Sequence, residues 1–284
     1  MQRWLEYESG QAWCESSYSK YQTIPFVAEF ANTVTNLPII VLPMVNALLL
    51  RRYIREANAF VFLPNLLLTI NGIFSAYYHA TLNLFGQLVD ELSLLWLINI
   101  CVIAYLPIMK CYPMRFKDRV SGIRWAIAGV TTLISALCFL KPSLNAFALM
   151  TLSIPVAFMI YQEGIKSVGG VEKVPEAEKL TWRVFTLWTL ASACWFSDKM
   201  LCDLWLYLGT PYLHALFHLM SSVAAYHLFI MFSLLDIKRR SHEHNFVAEI
   251  KYFPFRSGKF SSFAYISLKE KHNCSVEGSK SVTE

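Results

Sequence analysis

The amino-acid sequence predicts an all-α membrane protein, namely a bundle of seven transmembrane helices. Hydrophobic residues make up 55% of the 284 residues, charged residues only 16%, and the mean hydropathy is +0.40. This composition leaves too little polar surface for a soluble domain of this size. A helix needs roughly 20 apolar residues to cross a hydrocarbon core of about 30 Å. Such stretches recur at 30–50, 59–82, 88–109, 122–140, 143–162, 183–207 and 210–235.

The segments on either side of the predicted bundle differ from it in composition. Residues 1–28 lack a basic region followed by a cleavable apolar core, so we expect an N-terminal segment outside the membrane and no removable signal peptide. Residues 29–236 form the predicted transmembrane bundle. Residues 237–284 end in KEKHNCSVEGSKSVTE, a polar composition that predicts a largely disordered tail. Polar or helix-breaking residues interrupt the first and sixth spans: Pro38, Pro43, Asp198, Lys199 and Asp203.

Basic residues near the helix ends predict the orientation of the bundle. Loops after the first, third and fifth spans, together with the tail, hold most of them, and basic residues favour the cytosolic side. We therefore expect a cytosolic C-terminus and an N-terminus in the lumen or outside the cell. The net charge of +5 belongs to these flanks, so it does not indicate nucleic-acid binding. The residues on the predicted cytosolic side are Arg51, Arg52, Arg55, Lys110, Arg115, Lys117, Arg119, Lys166, Lys173, Lys179, Lys238, Arg239 and Arg240.

Three histidines lie near one end of the predicted bundle. Even-numbered helices end on the N-terminal side and odd-numbered helices begin there, so His79, His214 and His218 share one membrane depth. His214 and His218 are four residues apart, which places both rings on one face of a helix. Imidazole is costly to bury in lipid, and three nitrogen ligands leave one position of a tetrahedral zinc ion open, as in hydrolytic sites. The sequence therefore predicts a catalytic zinc site.

Two further polar residues fall at the same depth. Ser75 lies one turn before His79 and faces the same way, so its hydroxyl group can donate to an oxyanion. Asp90 begins the next helix, where its carboxylate can orient a water molecule and accept its proton. Glu91 is rotated by about 100° from Asp90 and is the weaker candidate. The alternative to a metal site is a structural role for these residues. A buried histidine can be a packing residue with its hydrogen bonds satisfied, and a serine can allow two helices to pack closely.

The other four histidines are excluded as ligands. His227 lies nine residues after His218, about 180° around the helix. The remaining three lie in the predicted cytosolic tail: His242, His244 and His272.

Several motifs in order resemble the alkaline ceramidases, which are seven-helix zinc hydrolases. These motifs are WCESSY, VAEFANTVTNLP, SAYYHATLNLFGQLVDEL, LKPSLNAFAL, WFSDKMLC and YLHALFH. The resemblance implies hydrolysis of the amide bond of ceramide to sphingosine and a fatty acid, in the endoplasmic reticulum, Golgi or plasma membrane. It implies that His79, His214 and His218 hold zinc and that Ser75 and Asp90 are catalytic. The lipid substrate would enter from the bilayer, and no obligate protein partner is evident.

The resemblance also implies a calcium site in the N-terminal segment. Trp13, Glu15, Ser17 and Glu29 occupy its positions, but Ala12 replaces an aspartate and Ser17 an asparagine. Calcium prefers six to eight oxygen ligands, so the lost carboxylate should weaken the site. The alternative is a set of solvated carboxylates.

Cysteine placement predicts one disulfide. Cys14 and Cys202 fall on the predicted lumenal side, where disulfides persist. We therefore predict a bridge between them that pins the N-terminal segment over the helices.

Two other classes of protein remain as alternatives. A receptor is the main one, because the wider superfamily includes the adiponectin receptors. A transporter is disfavoured, because carriers usually bind substrate near the midplane on broken helices that repeat in the two halves.

Overall fold

The computed structural model describes residues 8–10, 13–17, 24–109, 118–141, 144–165, 174–254 and 262–271. These residues form seven helices of 13 residues or more, which run alternately between two ends of a bundle. We call the end near His79 and His214 the histidine end, and the opposite end the hairpin end. The seven helices are α1 (Leu37–Leu49), α2 (Phe62–Thr81), α3 (Leu84–Tyr105), α4 (Val120–Leu140), α5 (Leu144–Gly164), α6 (Pro175–Met200) and α7 (Leu213–Arg239).

Length and composition qualify six of these helical segments as candidate membrane spans, which makes the chain a multi-pass membrane protein. They are Phe30–Leu49, Ala59–Thr81, Leu84–Ile108, Val120–Leu140, Phe147–Gly164 and Leu213–Arg239. Helix α6 has 26 residues but is not among the six. The predicted sixth span, 183–207, is also not continuous: α6 ends at Met200, and a short helix, Cys202–Tyr207, follows. Helix α6 carries charged residues at both ends, Glu176 and Glu178 in its first turn and Asp198 and Lys199 in its last, which lower its mean hydropathy.

The turn between α2 and α3 positions residues of the histidine end. Leu82 adopts a left-handed φ of 49°, which ends α2. The Asn83 side chain then accepts hydrogen bonds from the N–H groups of Phe85 (2.8 Å) and Gly86 (3.3 Å), which caps α3. A Cβ atom at Gly86 would lie 3.0 Å from the Cα of Tyr78, so glycine allows the two helices to approach closely. This turn fixes His79 of α2 relative to Asp90 of α3.

Helix α7 lies at the centre of the core. Most of its residues from Ala224 onward are buried, and at the hairpin end they pack with Leu50, Tyr105 and Leu180 of three other helical segments. Helix α7 also carries a buried carboxylate, Asp236, which accepts hydrogen bonds from Tyr53 Oη (2.7 Å) and Asn58 Nδ2 (2.8 Å). A buried charge needs such partners, because an unpaired charge is strongly destabilising.

The segment after α7 contains an antiparallel β-hairpin, so the prediction of a largely disordered tail is wrong for two stretches. Strand β1 (Phe246–Phe253) pairs with β2 (Phe263–Glu270), in a register from Phe246 opposite Glu270 to Phe253 opposite Phe263. Phe246, Ala248, Ala264 and Ile266 face the core of the bundle. The physical reason is an alternation of apolar and polar residues in both strands, which buries one face. The protein is therefore mostly, not entirely, α-helical, and residues 272–284 lie outside the described part.

Candidate metal and catalytic site

The three histidines singled out in the sequence converge at the histidine end. His79 comes from the last turn of α2, and His214 and His218 come from the first turns of α7. One nitrogen from each ring can be chosen so that all three lie within 4.8 Å of one another, and all three residues are buried. The ring centroids are 4.5 to 5.0 Å apart. The rings are therefore close enough to share one ion.

Two of these rings, those of His79 and His218, contact oxygen atoms through Nδ1. Nδ1 of His79 lies 2.5 Å from Oε2 of Glu29. Nδ1 of His218 lies 3.1 Å from the carbonyl oxygen of Asn32 and 3.2 Å from Oγ1 of Thr35. A ring that donates through Nδ1 keeps the lone pair of Nε2 for a metal, and such second partners fix the tautomer and orientation of metal-binding histidines.

The third ring, His214, is held by stacking. Its centroid lies 3.4 Å from that of Trp13, with the planes inclined by 13°, and Lys199 Nζ lies 4.0 Å from the Trp13 ring centroid. Nδ1 of His214 is buried and has no hydrogen-bond partner in the described part of the chain. An unsatisfied buried nitrogen is costly, and a bond to a metal ion would satisfy it.

These observations fit a zinc site. Zinc binds imidazole nitrogen at about 2.0–2.1 Å, which places tetrahedral ligands roughly 3.4 Å apart. The observed nitrogen separations, up to 4.8 Å, are wider than this, so the three rings would move inward on binding one ion. Three imidazole nitrogens, two of them on rings oriented by a carboxylate or a carbonyl oxygen, form the donor set expected of catalytic zinc.

A disulfide-bonded N-terminal strap, Trp13–Ser17, covers the site. Cys14 and Cys202 form a disulfide with a Cα–Cα distance of 5.4 Å. The carboxylate of Asp198 accepts from the backbone N–H groups of Cys14 (3.1 Å) and His214 (3.2 Å). The Trp13 N–H donates to Oε1 of Glu29 (2.8 Å). The strap is thus tied to α6, to α7 and to the carboxylate that holds His79.

The same strap does not support the implied calcium site. Both oxygens of Glu15 accept backbone N–H groups, from Ala31 (2.6 Å) and Asn32 (2.9 Å), and burial raises the pKa of the Glu15 carboxyl. The oxygens of Glu29 are likewise engaged, by Trp13, by Asn32 and by His79. Carboxylates occupied by N–H donors are poorly arranged for calcium, which takes oxygen ligands alone. Ala12 and the side chain of Ser17 lie outside the described part.

Ser75 and Asp90 lie together beside His79. The Ser75 side chain, which is 3% exposed, hydrogen-bonds to the Asp90 carboxylate. Asn71 Nδ2 donates to Oδ1 of Asp90 at 2.8 Å. Asn71, Ser75 and His79 are spaced by four residues and so form one stripe on α2. The arrangement places a hydroxyl group and an oriented carboxylate beside the three imidazoles.

Other candidate residues lie elsewhere. Glu91 faces away from this stripe and accepts from Gln87 and Asn145. His227 is buried, with Nδ1 2.7 Å from the carbonyl oxygen of Val223 and Nε2 3.3 Å from Arg183. His244 lies at the hairpin end, His242 is largely exposed, and His272 is outside the described part.

Glu29, Trp13, Asp198 and Asn71 all contact a predicted site residue. The sequence predicts Trp13 and Glu29 only as calcium ligands, and it predicts no site role for Asp198 or Asn71. Asn71 has a detectable signal for its supporting role, because it continues the four-residue spacing of Ser75 and His79.

Fold and site together define a multi-pass helical membrane protein with a buried three-histidine centre suited to a metal ion. The sequence profile of the Ceramidase family matches residues 6–261, and the chain belongs to this family.

Similar proteins match 81% to 95% of the chain. An alkaline ceramidase of Caenorhabditis briggsae is 58% identical over 269 residues, which cover 95% of this chain and 97% of that protein. Alkaline ceramidase 1 of Homo sapiens is 32% identical over 234 residues, which cover 81% of this chain and 84% of that protein. An alkaline ceramidase of Drosophila melanogaster is 31% identical over 259 residues, which cover 90% and 87%.

Proposed function

We propose that this protein hydrolyses the amide bond of ceramide, releasing sphingosine and a fatty acid, with zinc held by His79, His214 and His218. The observation that carries the proposal is the convergence of these three buried imidazoles beside the hydrogen-bonded pair Ser75 and Asp90. Family membership and the names of the relatives support ceramide as the substrate.

The chain's own residues have complementary roles in this reaction. A bound zinc ion would act as a Lewis acid towards the amide carbonyl and make a water molecule more acidic. Asp90 accepts a proton from the attacking water and delivers it to the amide nitrogen as the C–N bond breaks. Ser75 donates a hydrogen bond to the oxyanion that forms at the carbonyl. One water is consumed, and the products are a fatty acid and an amine.

The supporting residues position this machinery. Asn71 orients the Asp90 carboxylate, and Glu29 orients the ring of His79. Glu29 serves the histidine and not calcium, since its oxygens already accept three hydrogen bonds. The strap over His214 limits access of bulk water to the site.

We also propose that α6 is the sixth of seven spans, with the histidine end facing the lumen or the cell exterior. Helix α6 has 26 residues, about 39 Å at 1.5 Å per residue, and packs along α7, which is a candidate span. Basic residues cluster at the hairpin end, among them Arg51, Arg52, Lys238 and Arg239, which favours a cytosolic hairpin. A site within the bundle suits a lipid that enters from the bilayer of the endoplasmic reticulum, Golgi or plasma membrane.

The test is product release from purified protein. Incubation with ceramide should release sphingosine and fatty acid, and elemental analysis should find zinc. His79→Ala, His214→Ala and His218→Ala should each abolish release and lower the zinc content. His242→Ala is the matched control, because this side chain is 76% exposed. Zinc-loaded wild-type protein that binds ceramide without releasing sphingosine would instead favour a receptor.

A further inference from the structure

A second polar cluster lies across α3 from the catalytic carboxylate. Both oxygens of Glu91 accept amide donors, from Gln87 Nε2 at 2.9 Å and from Asn145 Nδ2 at 2.5 Å. Gln87 is in turn held by Ser9, whose hydroxyl group donates to its Oε1 at 2.6 Å. The cluster therefore joins α3, α5 and the N-terminal segment at the histidine end.

Two buried polar atoms of this region lack a partner in the described part of the chain. One is Oδ1 of Asn145, whose residue is only 4% exposed, and the other is Oγ of Ser135 on α4. Ser135 lies about one helical turn before Cys138 on α4, and α4 packs against both α3 and α5. Polar groups within a membrane bundle are costly unless they are paired, and they usually mark a functional site.

The unpaired acceptor atoms of this cluster match a ligand that donates hydrogen bonds. A carboxylate offers about four lone-pair positions, and the amides of Gln87 and Asn145 occupy two of those on Glu91. Oδ1 of Asn145 can only accept, and Oγ of Ser135 can accept or donate. A metal cation fits poorly here, because N–H donors already face both carboxylate oxygens. Hydroxyl groups match this set.

The cluster lies on the same turn of α3 as the proposed catalytic carboxylate. Asp90 and Glu91 are consecutive, so their Cα atoms are about 3.8 Å apart and their side chains diverge by about 100°. In ceramide, the two carbons on either side of the one bonded to the amide nitrogen each carry a hydroxyl group. We propose that Glu91, Gln87, Asn145 and Ser135 form a subsite that binds these hydroxyl groups and selects hydroxylated sphingoid amides. This inference rests on the proposed function and adds its specificity determinant.

The test compares ceramide with analogues in which the 1-hydroxyl or the 3-hydroxyl group is replaced by hydrogen. A site built for a hydroxyl group rejects an analogue that lacks it, so wild-type protein should prefer ceramide by about tenfold or more in kcat/KM over at least one analogue. In Glu91→Gln the ratio of kcat/KM for ceramide to kcat/KM for the analogue should fall below about three. The fall should come from a higher KM for ceramide. Ser135→Ala, a smaller change, should reduce it partially. Glu56→Gln, which makes the same change at a half-exposed site, should keep the wild-type preference.

A second measurement does not depend on turnover. Ceramide should raise the midpoint of thermal unfolding of the wild-type protein more than either analogue does, and Glu91→Gln should lose this difference. Equal stabilisation by all three lipids, or a wild-type preference retained in Glu91→Gln, would overturn the subsite. Absence of sphingosine release together with selective stabilisation by ceramide would reject the proposed hydrolysis and keep the subsite.

Discussion

The carboxylate of Glu29 lies 2.5 Å from Nδ1 of His79, although 50 positions separate the two residues in the chain. Both are almost completely buried. The other oxygen of Glu29 accepts from the backbone of Trp13, whose ring stacks on His214. One carboxylate therefore links the orientation of His79 to the strap that covers His214.

Glu29→Gln tests this link. The neutral amide holds the His79 ring less firmly and makes it a weaker ligand, so zinc affinity should fall by about 10- to 100-fold. Competition with a chelator measures the affinity, with Glu56→Gln as control. An unchanged affinity would contradict the orienting role. Calcium that stabilises wild-type protein but not Glu29→Gln would instead indicate calcium binding.

Removal of the disulfide tests the strap. In the variant that combines Cys14→Ser and Cys202→Ser, the free energy of unfolding should decrease by about 2–4 kcal/mol, because the bridge closes a long loop; the two cysteines are 188 residues apart. Zinc should also dissociate faster, because Trp13 is no longer pinned against His214. Thermal unfolding and zinc release measure the two effects. Cys194→Ser, at a free cysteine, should change neither, and wild-type stability in the double variant would refute the role of the strap.

The parts of the structure that follow helical periodicity can be predicted from the sequence. Apolar stretches of the right length locate the long helices, and the alternation of helix direction places His79 at the same end as His214 and His218. The same alternation of helix direction places Ser75 and Asp90 at this end of the bundle. These inferences succeed because they need only the direction of each helix and the spacing along it.

The remaining parts depend on tertiary packing that has no periodic signal. The strap contains only a single 3-10 turn, Cys14–Ser17, so its sequence gives no periodic signal, and the contact between Trp13 and Glu29 follows from its placement by the disulfide and by Asp198. The sequence predicts a disordered tail instead of the hairpin, because the two strands are partly polar and a polar C-terminal end follows them. Alternation with a period of two in FVAEIKYF was the available signal.

Asn71→Ala tests the positioning of Asp90, the proposed catalytic carboxylate. Loss of the 2.8 Å hydrogen bond frees Asp90 to rotate, so kcat should fall by about tenfold or more, since general acid–base catalysis contributes about 10²–10⁴. The zinc content should stay at the wild-type value, which distinguishes this variant from the histidine variants. Asn99→Ala is a matched control, because that side chain bonds only to the carbonyl oxygen of Leu95 among the hydrogen bonds described. Equal kcat values for the two variants would exclude the role of Asn71.

Adjacent residues of β1 test whether the hairpin packs against the bundle. Phe246 is 2% exposed and belongs to the core, whereas Val247 is 44% exposed. Phe246→Ala should lower the free energy of unfolding by about 3–5 kcal/mol, because it leaves a cavity against α7. Val247→Ala should change it by less than about 0.5 kcal/mol, as expected of a surface position. Thermal or denaturant unfolding measures both, and a small effect for both variants would mean that the hairpin contributes nothing to the stability of the bundle.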